Sequence, residues 1–218
     1  MEKMSHPFEA DGAPATQFRR MYERGDLPVK IKHGARLTLE WKIPPEKIDY
    51  GLFLPIFIEG LREKKDPYLF VATNGTRVLI EKGATMLLPV IPQVIMPLKQ
   101  AFVTRDPATV VLALDTLQCL VKIRTGATGP YSTPIGEALV PYYRQLLPML
   151  SLFKAKKQNL GDKMDYAQAK RDFRNIGEMI EETLNLLEMS GGVDAFINIK
   201  YMIPTYESCV DATPTAKH

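Results

Sequence analysis

The hydrophobic pattern of the chain is most regular between residues 86 and 123, where two neighbouring segments differ in kind. The first, MLLPVIPQVIMPLKQAF, is an apolar run interrupted by prolines. The second, DPATVVLALDTLQCLVKI, has aliphatic residues three and four positions apart, which predicts a helix that buries one side. Asp106 and Pro107 are typical of an N-cap and a first helical position. We therefore predict a helical hairpin that must pack against further elements.

The same order of segments returns about fifty residues later, within the length range of known helical repeats. EALVPYYRQLLPMLSLF resembles the first segment, and an amphipathic helix is predicted from about 166 to 189, ended by Gly191-Gly192. Paired helices repeated in this way are typical of armadillo and HEAT proteins. Proline inside a helix costs about 3 kcal/mol, so we expect the proline-containing helices to be kinked or split.

The N-terminal third combines helices with a change to period two. A short helix from Thr16 ends at Gly25, and residues 28–43 alternate in the manner of a β hairpin, with Trp41 on the buried face. Residues 50–61 are almost wholly apolar and predict a buried helix. The next helix, after Asp66-Pro67, is predicted to be interrupted near Asn74-Gly75. A Gly/Pro/Ser/Thr loop is predicted over 125–136.

These elements predict one domain with two tails. The predicted fold class is all-α, an armadillo/HEAT-like helical repeat solenoid with a small N-terminal β hairpin. The helical domain is assigned to residues 15–210, and flexible tails to 1–14 and 211–218.

The composition, net charge and cysteine count disfavour several classes of protein. The 218 residues are 45% hydrophobic and 24% charged, with a formal net charge of +3, which is too small an excess to favour nucleic-acid binding. Two cysteines are too few for a disulfide framework. The N-terminus has no apolar signal region, and no run of 18 apolar residues suggests a membrane span. We expect a soluble, intracellular protein with no membrane partner.

Catalytic motifs are lacking in the sequence. There is no phosphate-binding GxxxxGK[ST], no GxGxxG after a strand and no GxSxG. His6, His33 and His218 have no metal-ligand spacing, and Cys119 is predicted to pack as a small hydrophobe within its helix. We predict that the protein is not an enzyme and needs no cofactor.

Candidate partner-binding residues fall into two basic clusters and one aromatic segment. Each basic cluster is also typical of a solvated helix end, and the helix dipole alone accounts for Lys154. The segment 196–206 either caps the helical stack or offers an exposed apolar patch. The candidates are Arg19, Arg20 and Arg24; Lys154, Lys156 and Lys157; and Tyr201 and Tyr206.

Several long motifs resemble the parkin co-regulated gene product family across about residues 15–209. They are FRRMYERGDLPVKI, WKIPPEKIDYGLFLPIFIEGL, LLPVIPQVIMPLKQA, ALVPYYRQLLPMLSLFK, DYAQAKRDFRNIGEMIEETL and GGVDAFINIKYMIPTYESC. The resemblance implies armadillo/HEAT-like repeats and no enzymatic activity. The loop TGATGPYSTPIG departs from the family by its length.

The resemblance also implies a function and partners. Members of the family are structural proteins of the ciliary and flagellar axoneme, at the inner junction where the B-tubule of a doublet microtubule joins the A-tubule. The implied partners are α/β-tubulin, a small β-rich inner-junction protein and other microtubule inner proteins. The implied location is the cytoplasm and cytoskeleton of cilia and flagella. The alternative is a soluble helical-repeat adaptor that binds a small protein partner without contacting the microtubule lattice.

Overall fold

A computed structural model of the chain describes residues 16–34, 37–123, 132–155 and 176–210. Within them, helices joined by short 3₁₀ turns make up most of the fold, beside one two-stranded sheet. The elements are α1 (Gln17–Arg24), β1 (Val29–Lys32), β2 (Thr38–Trp41), α2 (Tyr50–Glu59), α3 (Tyr68–Lys82), α4 (Ile91–Val103), α5 (Pro107–Lys122), α6 (Pro134–Leu139), α7 (Tyr143–Ala155), α8 (Ile176–Ser190) and α9 (Ala195–Met202).

The long helices form two layers around one core. In the first layer α2 packs beside α4, α4 beside α7 and α7 beside α9; in the second, α3 packs beside α5 and α5 beside α8. Each pair α2/α3, α4/α5 and α7/α8 packs across the layers. The predicted hairpin over 86–123 is therefore confirmed as the central pair α4/α5, which lies between α2/α3 and α7/α8.

Proline occupies the same place in three helices of the first layer. Pro55, Pro97 and Pro148 each lie near the middle of their helix, in α2, α4 and α7. The predicted splitting is confirmed nearer the helix starts, where 3₁₀ turns over Leu88–Val90 and Val140–Tyr142 replace the first α-helical turns. Within the described ranges, α3, α5 and α8 have no interior proline.

Polar side chains tie the layers together inside the core. Gln118 of α5 donates from Nε2 to Thr183 Oγ1 of α8 at 3.0 Å, and both side chains are buried. Tyr143 of α7 donates its hydroxyl to the Leu187 carbonyl at 2.9 Å. Because a buried polar group without a partner is costly, these bonds fix how the last two helix pairs meet.

The N-terminal elements confirm most of their sequence prediction. Thr16 caps α1, and Gly25 ends it with a φ of 76°. β1 pairs with β2 in antiparallel register, with Val29 opposite Trp41. The half-buried Trp41 ring lies 6.0 Å from that of the buried Phe57, so the hairpin rests on the helical body.

Two sequence predictions of element bounds were wrong. The helix α3 is not interrupted at Asn74-Gly75, because Gly75 is the point where the Phe57 ring packs; a Cβ there would lie 2.2 Å from a ring carbon. The predicted loop over 125–136 ends earlier, since Thr133 caps α6 through the Gly136 N–H. Residues 124–131, the start of the predicted 166–189 helix and both predicted tails lie outside the described residues.

No helix of the described ranges combines the length and the apolar character that a membrane span requires.

Candidate partner-binding surface

Arg19 of the first basic cluster is engaged within the fold, contrary to its prediction as a contact residue. Its guanidinium donates to the buried carboxylate of Glu63 at 2.7 Å and lies 4.4 Å above the ring of Tyr68. Thr16 donates its hydroxyl to the same carboxylate. Burial and the hydrogen bond to Glu23 raise the pKa of the Tyr68 phenol. The network locks α1 onto the start of α3, so Arg19 serves the fold.

The other basic candidates divide into exposed and undescribed residues. Arg20 is exposed but already interacts with neighbouring groups. Arg24 forms a surface ion pair with Asp26 at 2.7 Å. Lys154 lies in α7, but its side chain is outside the described part of the structure, as are Lys156 and Lys157 altogether. The second basic cluster therefore stays a prediction.

Tyr206 was wrongly predicted as an exposed contact residue, for it is only 2% exposed. Its hydroxyl donates to the Glu188 carboxylate of α8 at 2.6 Å. Ser208 donates its hydroxyl to that carboxylate as well, and the Cys209 N–H donates at 2.9 Å. The segment that follows α9 is thus fastened to α8 by one buried acid.

The electrostatics of this cluster follow from its hydrogen bonds. Burial alone would raise the pKa of Glu188, but the bonds from Ser208, Tyr206 and Cys209 outweigh it and hold the pKa below its usual value. Burial, together with the bond to that carboxylate, raises the pKa of the Tyr206 phenol. Glu188 therefore stays ionised and acts as an acceptor for several donors.

Tyr201 is the aromatic candidate that the structure places at the surface, with 81% of it exposed. It belongs to the α9 stripe, which we define as Val193, Phe196, Ile197 and Tyr201. Residues Ala195 and Ile199 make the buried side of the same helix. Both sequence readings of this segment are thus partly right: one side caps the helical body and the other is an apolar patch.

A broader apolar surface lies on the first layer, and the sequence analysis missed it. Among the described residues, helices α3, α5 and α8 expose only Met189 as a large apolar side chain. The first-layer elements that precede α9 expose several large apolar side chains. We define the first-layer face by its exposed apolar residues and its basic residues, namely Leu52, Leu88, Met96, Leu152, Lys99 and Arg144.

The charges of the two layers differ in sign. In α2, α4, α7 and α9 the one acidic residue is Glu59, which is engaged by Arg62 at 2.9 Å. In the second layer acidic residues outnumber basic ones, most of all along α8, which carries Glu178, Glu181, Glu182 and Glu188. The first-layer face is therefore apolar and basic, which suits an acidic partner surface.

The signal for this face was present in the sequence. The apolar runs over 50–61 and 86–98 have almost no charged residues, and the first of them was predicted to be a buried helix. An edge layer of a two-layer fold exposes one side of each helix, so an uncharged helix there leaves apolar surface in contact with solvent. The near absence of charge is therefore as compatible with an exposed apolar side as with complete burial.

An open cleft of about 320 Å³ adjoins the α9 stripe. Its walls are formed by apolar residues of the α6–α7 connection, by the glycines that precede α9 and by two carboxylates. The lining residues are Glu137, Val140, Pro141, Gly191, Gly192, Val193 and Asp194. The cleft can accept an apolar side chain that ends in a hydrogen-bond donor.

Chemically reactive groups are few in the described ranges. No group of three or more His, Cys, Asp or Glu side chains there is placed to hold a metal ion. Cys119 is half-buried against the core, and burial raises the pKa of its thiol, as expected for a packing residue. The non-enzymatic assignment stays a prediction, and so does partner binding by this surface.

Comparison with known proteins covers nearly the whole chain. A family model described as Parkin co-regulated protein matches residues 16–208. A mouse protein named Parkin coregulated gene protein homolog is 47% identical over 204 residues, which make up 93% of this chain and 80% of the mouse protein.

Proposed function

Because the chain belongs to the parkin co-regulated protein family, we propose that it is a structural, non-enzymatic microtubule-associated protein of cilia and flagella. In this proposal it binds α/β-tubulin at the inner junction of doublet microtubules and helps to join the B-tubule to the A-tubule. Its further partners there are a small β-rich inner-junction protein and other microtubule inner proteins. Its location is the axoneme, within the cytoskeleton.

The observation that supports this proposal is the composition of the first-layer face. Tubulin presents an acidic outer surface, and the face combines exposed apolar side chains with the basic Lys99 and Arg144. Opposite charges orient an encounter, and the desolvated apolar contacts supply most of the affinity. The three proline-containing helices α2, α4 and α7 would lie side by side and each contribute one part of this face.

The same arrangement supports a finer proposal about the fold. We infer that α2/α3, α4/α5 and α7/α8 are three divergent copies of one helical repeat, because each has its interior proline in the first helix of the pair. A stack of such copies is an armadillo/HEAT-like solenoid, in which neighbouring repeats bury each other's apolar sides.

Localisation tests the function first. A tagged copy of the chain is expressed in ciliated cells, and axonemes are extracted with detergent. We expect the signal to remain along the extracted doublets. Loss of the signal on extraction would contradict lattice binding and favour the alternative, a soluble adaptor for a small protein partner.

Matched substitutions then test the first-layer face. Met96→Asp and Arg144→Glu alter this face, while Met189→Asp and Lys82→Glu make the same chemical changes on the second layer. We expect the first two variants to lose at least half of their axonemal signal and the controls to keep theirs. Equal signal from all four would refute the assignment of the face, though not the axonemal location. Charge reversal of Lys154, Lys156 and Lys157 tests the second basic cluster in the same assay.

A further inference from the structure

The helix α9 ends the first layer with an apolar side that nothing in the described structure covers. Val193 is 96% exposed and Ile197 66%, and both point away from the side that packs on α7 and α8. Terminal elements of stacked helical proteins are ordinarily polar on their outer side, since that side faces water. An apolar terminal side therefore indicates a contact.

Two features of this end are related by position along the chain. Tyr201 projects at one end of the α9 stripe, and the cleft of about 320 Å³ opens beside Val193 at the other end. Ile197 lies midway between them in sequence. A projection and a recess on one surface allow a two-fold symmetric interface, because each copy then offers both halves of the contact.

We propose that two copies of this chain associate through α9, with the two helices antiparallel and Ile197 next to the two-fold axis. Each copy inserts its Tyr201 ring into the cleft of the other copy. The ring packs on Val140 and Pro141, and the phenolic O–H donates to a carboxylate of the cleft, Glu137 or Asp194. The association is independent of the proposed microtubule function.

The size of the contact sets its strength. From the exposure of its two aromatic and two aliphatic side chains, the stripe offers roughly 500 Å² per copy, so a dimer buries about 1,000 Å² in total. Interfaces of this size are at the weak end of specific association. We expect a concentration-dependent dimer with a dissociation constant of about 10–100 μM.

Sedimentation equilibrium on the purified full chain measures the association. We expect the average mass to rise from that of one copy toward that of two between about 1 and 500 μM. Ile197→Asp and Tyr201→Ala each weaken the association at least tenfold, whereas Met96→Asp, on the first-layer face, leaves it unchanged. A mass of one copy at every concentration overturns the proposal, and so does equal weakening by Met96→Asp. Circular dichroism confirms that each variant is folded.

Disulfide formation tests the symmetry of the interface. Near a two-fold axis a residue meets its own equivalent, so Ile197→Cys forms a dimer-linking disulfide under mild oxidation. Both this variant and its control, Met96→Cys, carry Cys209→Ser to remove the exposed native thiol. We expect rapid cross-linking of the first and little of the second on non-reducing gels. Equal cross-linking of the two variants refutes the antiparallel arrangement about Ile197.

Discussion

Replacement of Glu188 by glutamine tests whether one carboxylate fastens the C-terminal segment to the helical body. The carboxylate accepts hydrogen bonds from the hydroxyls of Tyr206 and Ser208 and from the Cys209 N–H. Glutamine has nearly the same shape but offers a single acceptor oxygen. Its NH₂ group cannot accept from these donors, so at least one of the three bonds is lost or reversed, and the others lose their ionic acceptor.

The expected loss of stability follows from the number and type of these hydrogen bonds. A hydrogen bond to a charged group contributes about 1.5–3 kcal/mol, and a buried donor left without an acceptor adds a penalty of similar size. Because glutamine keeps one good acceptor, we expect Glu188→Gln to lower the free energy of unfolding by about 2–3 kcal/mol. Glu181→Gln makes the same change on the exposed side of α8 and is expected to cost less than about 0.5 kcal/mol.

Two measurements check the prediction. Urea unfolding gives the free energy for each variant, and hydrogen exchange with mass spectrometry follows the amides of residues 203–210. In Glu188→Gln the bonds that hold this segment lose their ionic acceptor, so exchange in the segment should accelerate while α5 keeps its protection. Unchanged exchange in both variants would show that the segment is held by its apolar contacts and would refute the reasoning.

The same carboxylate gives a dependence on pH with a definite sign. The pKa of Glu188 is lowered in the folded protein, so its contribution to stability is present at neutral pH. That contribution is lost as the pH falls through the lowered pKa, below the ordinary value of 4.5. The native chain should therefore lose more stability than Glu188→Gln as the pH falls below 4.5, by at most about 1.4 kcal/mol for each pH unit. A parallel loss in both proteins would contradict the assignment.

Two further substitutions test packing and the buried ion pair, each by urea unfolding. Gly75→Ala should gain about 1 kcal/mol of stability from helix propensity but lose about 2–3 kcal/mol through the clash with Phe57. We expect Phe57→Leu to relieve this net loss. A Gly75→Ala variant that is more stable than the native chain would contradict this packing. Arg19→Met should lower the free energy of unfolding by about 3 kcal/mol, because it leaves the Glu63 carboxylate buried without its cation. The control Arg24→Met breaks a surface ion pair and should cost under about 0.5 kcal/mol. Equal effects of the two substitutions would refute the internal role of Arg19.

Local signals in the sequence were sufficient to predict where helices begin or end when a capping residue is present. Asp106 and Pro107 identified the start of α5, and Gly25 the end of α1, because caps depend on a few neighbouring residues. Interior glycine was misleading at Gly75. Its low helix propensity was outweighed by the apolar contact with Phe57, a residue 18 positions earlier whose approach no local pattern reveals.

The candidate residues were harder to predict because exposure is a long-range property. Arg19 reads as a surface cation until Glu63, 44 residues away, is placed beside it. Tyr206 reads as part of an exposed aromatic segment, yet its side chain is buried and its hydroxyl bonds to Glu188 of α8. The other aromatic candidate, Tyr201, is exposed. The two tyrosines differ because Tyr206 faces α8 and Tyr201 faces solvent. The amino-acid composition of the segment does not reveal this difference.

The alignment of Pro55, Pro97 and Pro148 has a mechanical consequence. A proline removes one backbone hydrogen bond from its helix, so α2, α4 and α7 each lack a rung of the ladder at a similar height. The second layer has uninterrupted ladders in its described helices. The first layer is therefore the side of the body that bends more easily, while the helices of the second layer resist bending.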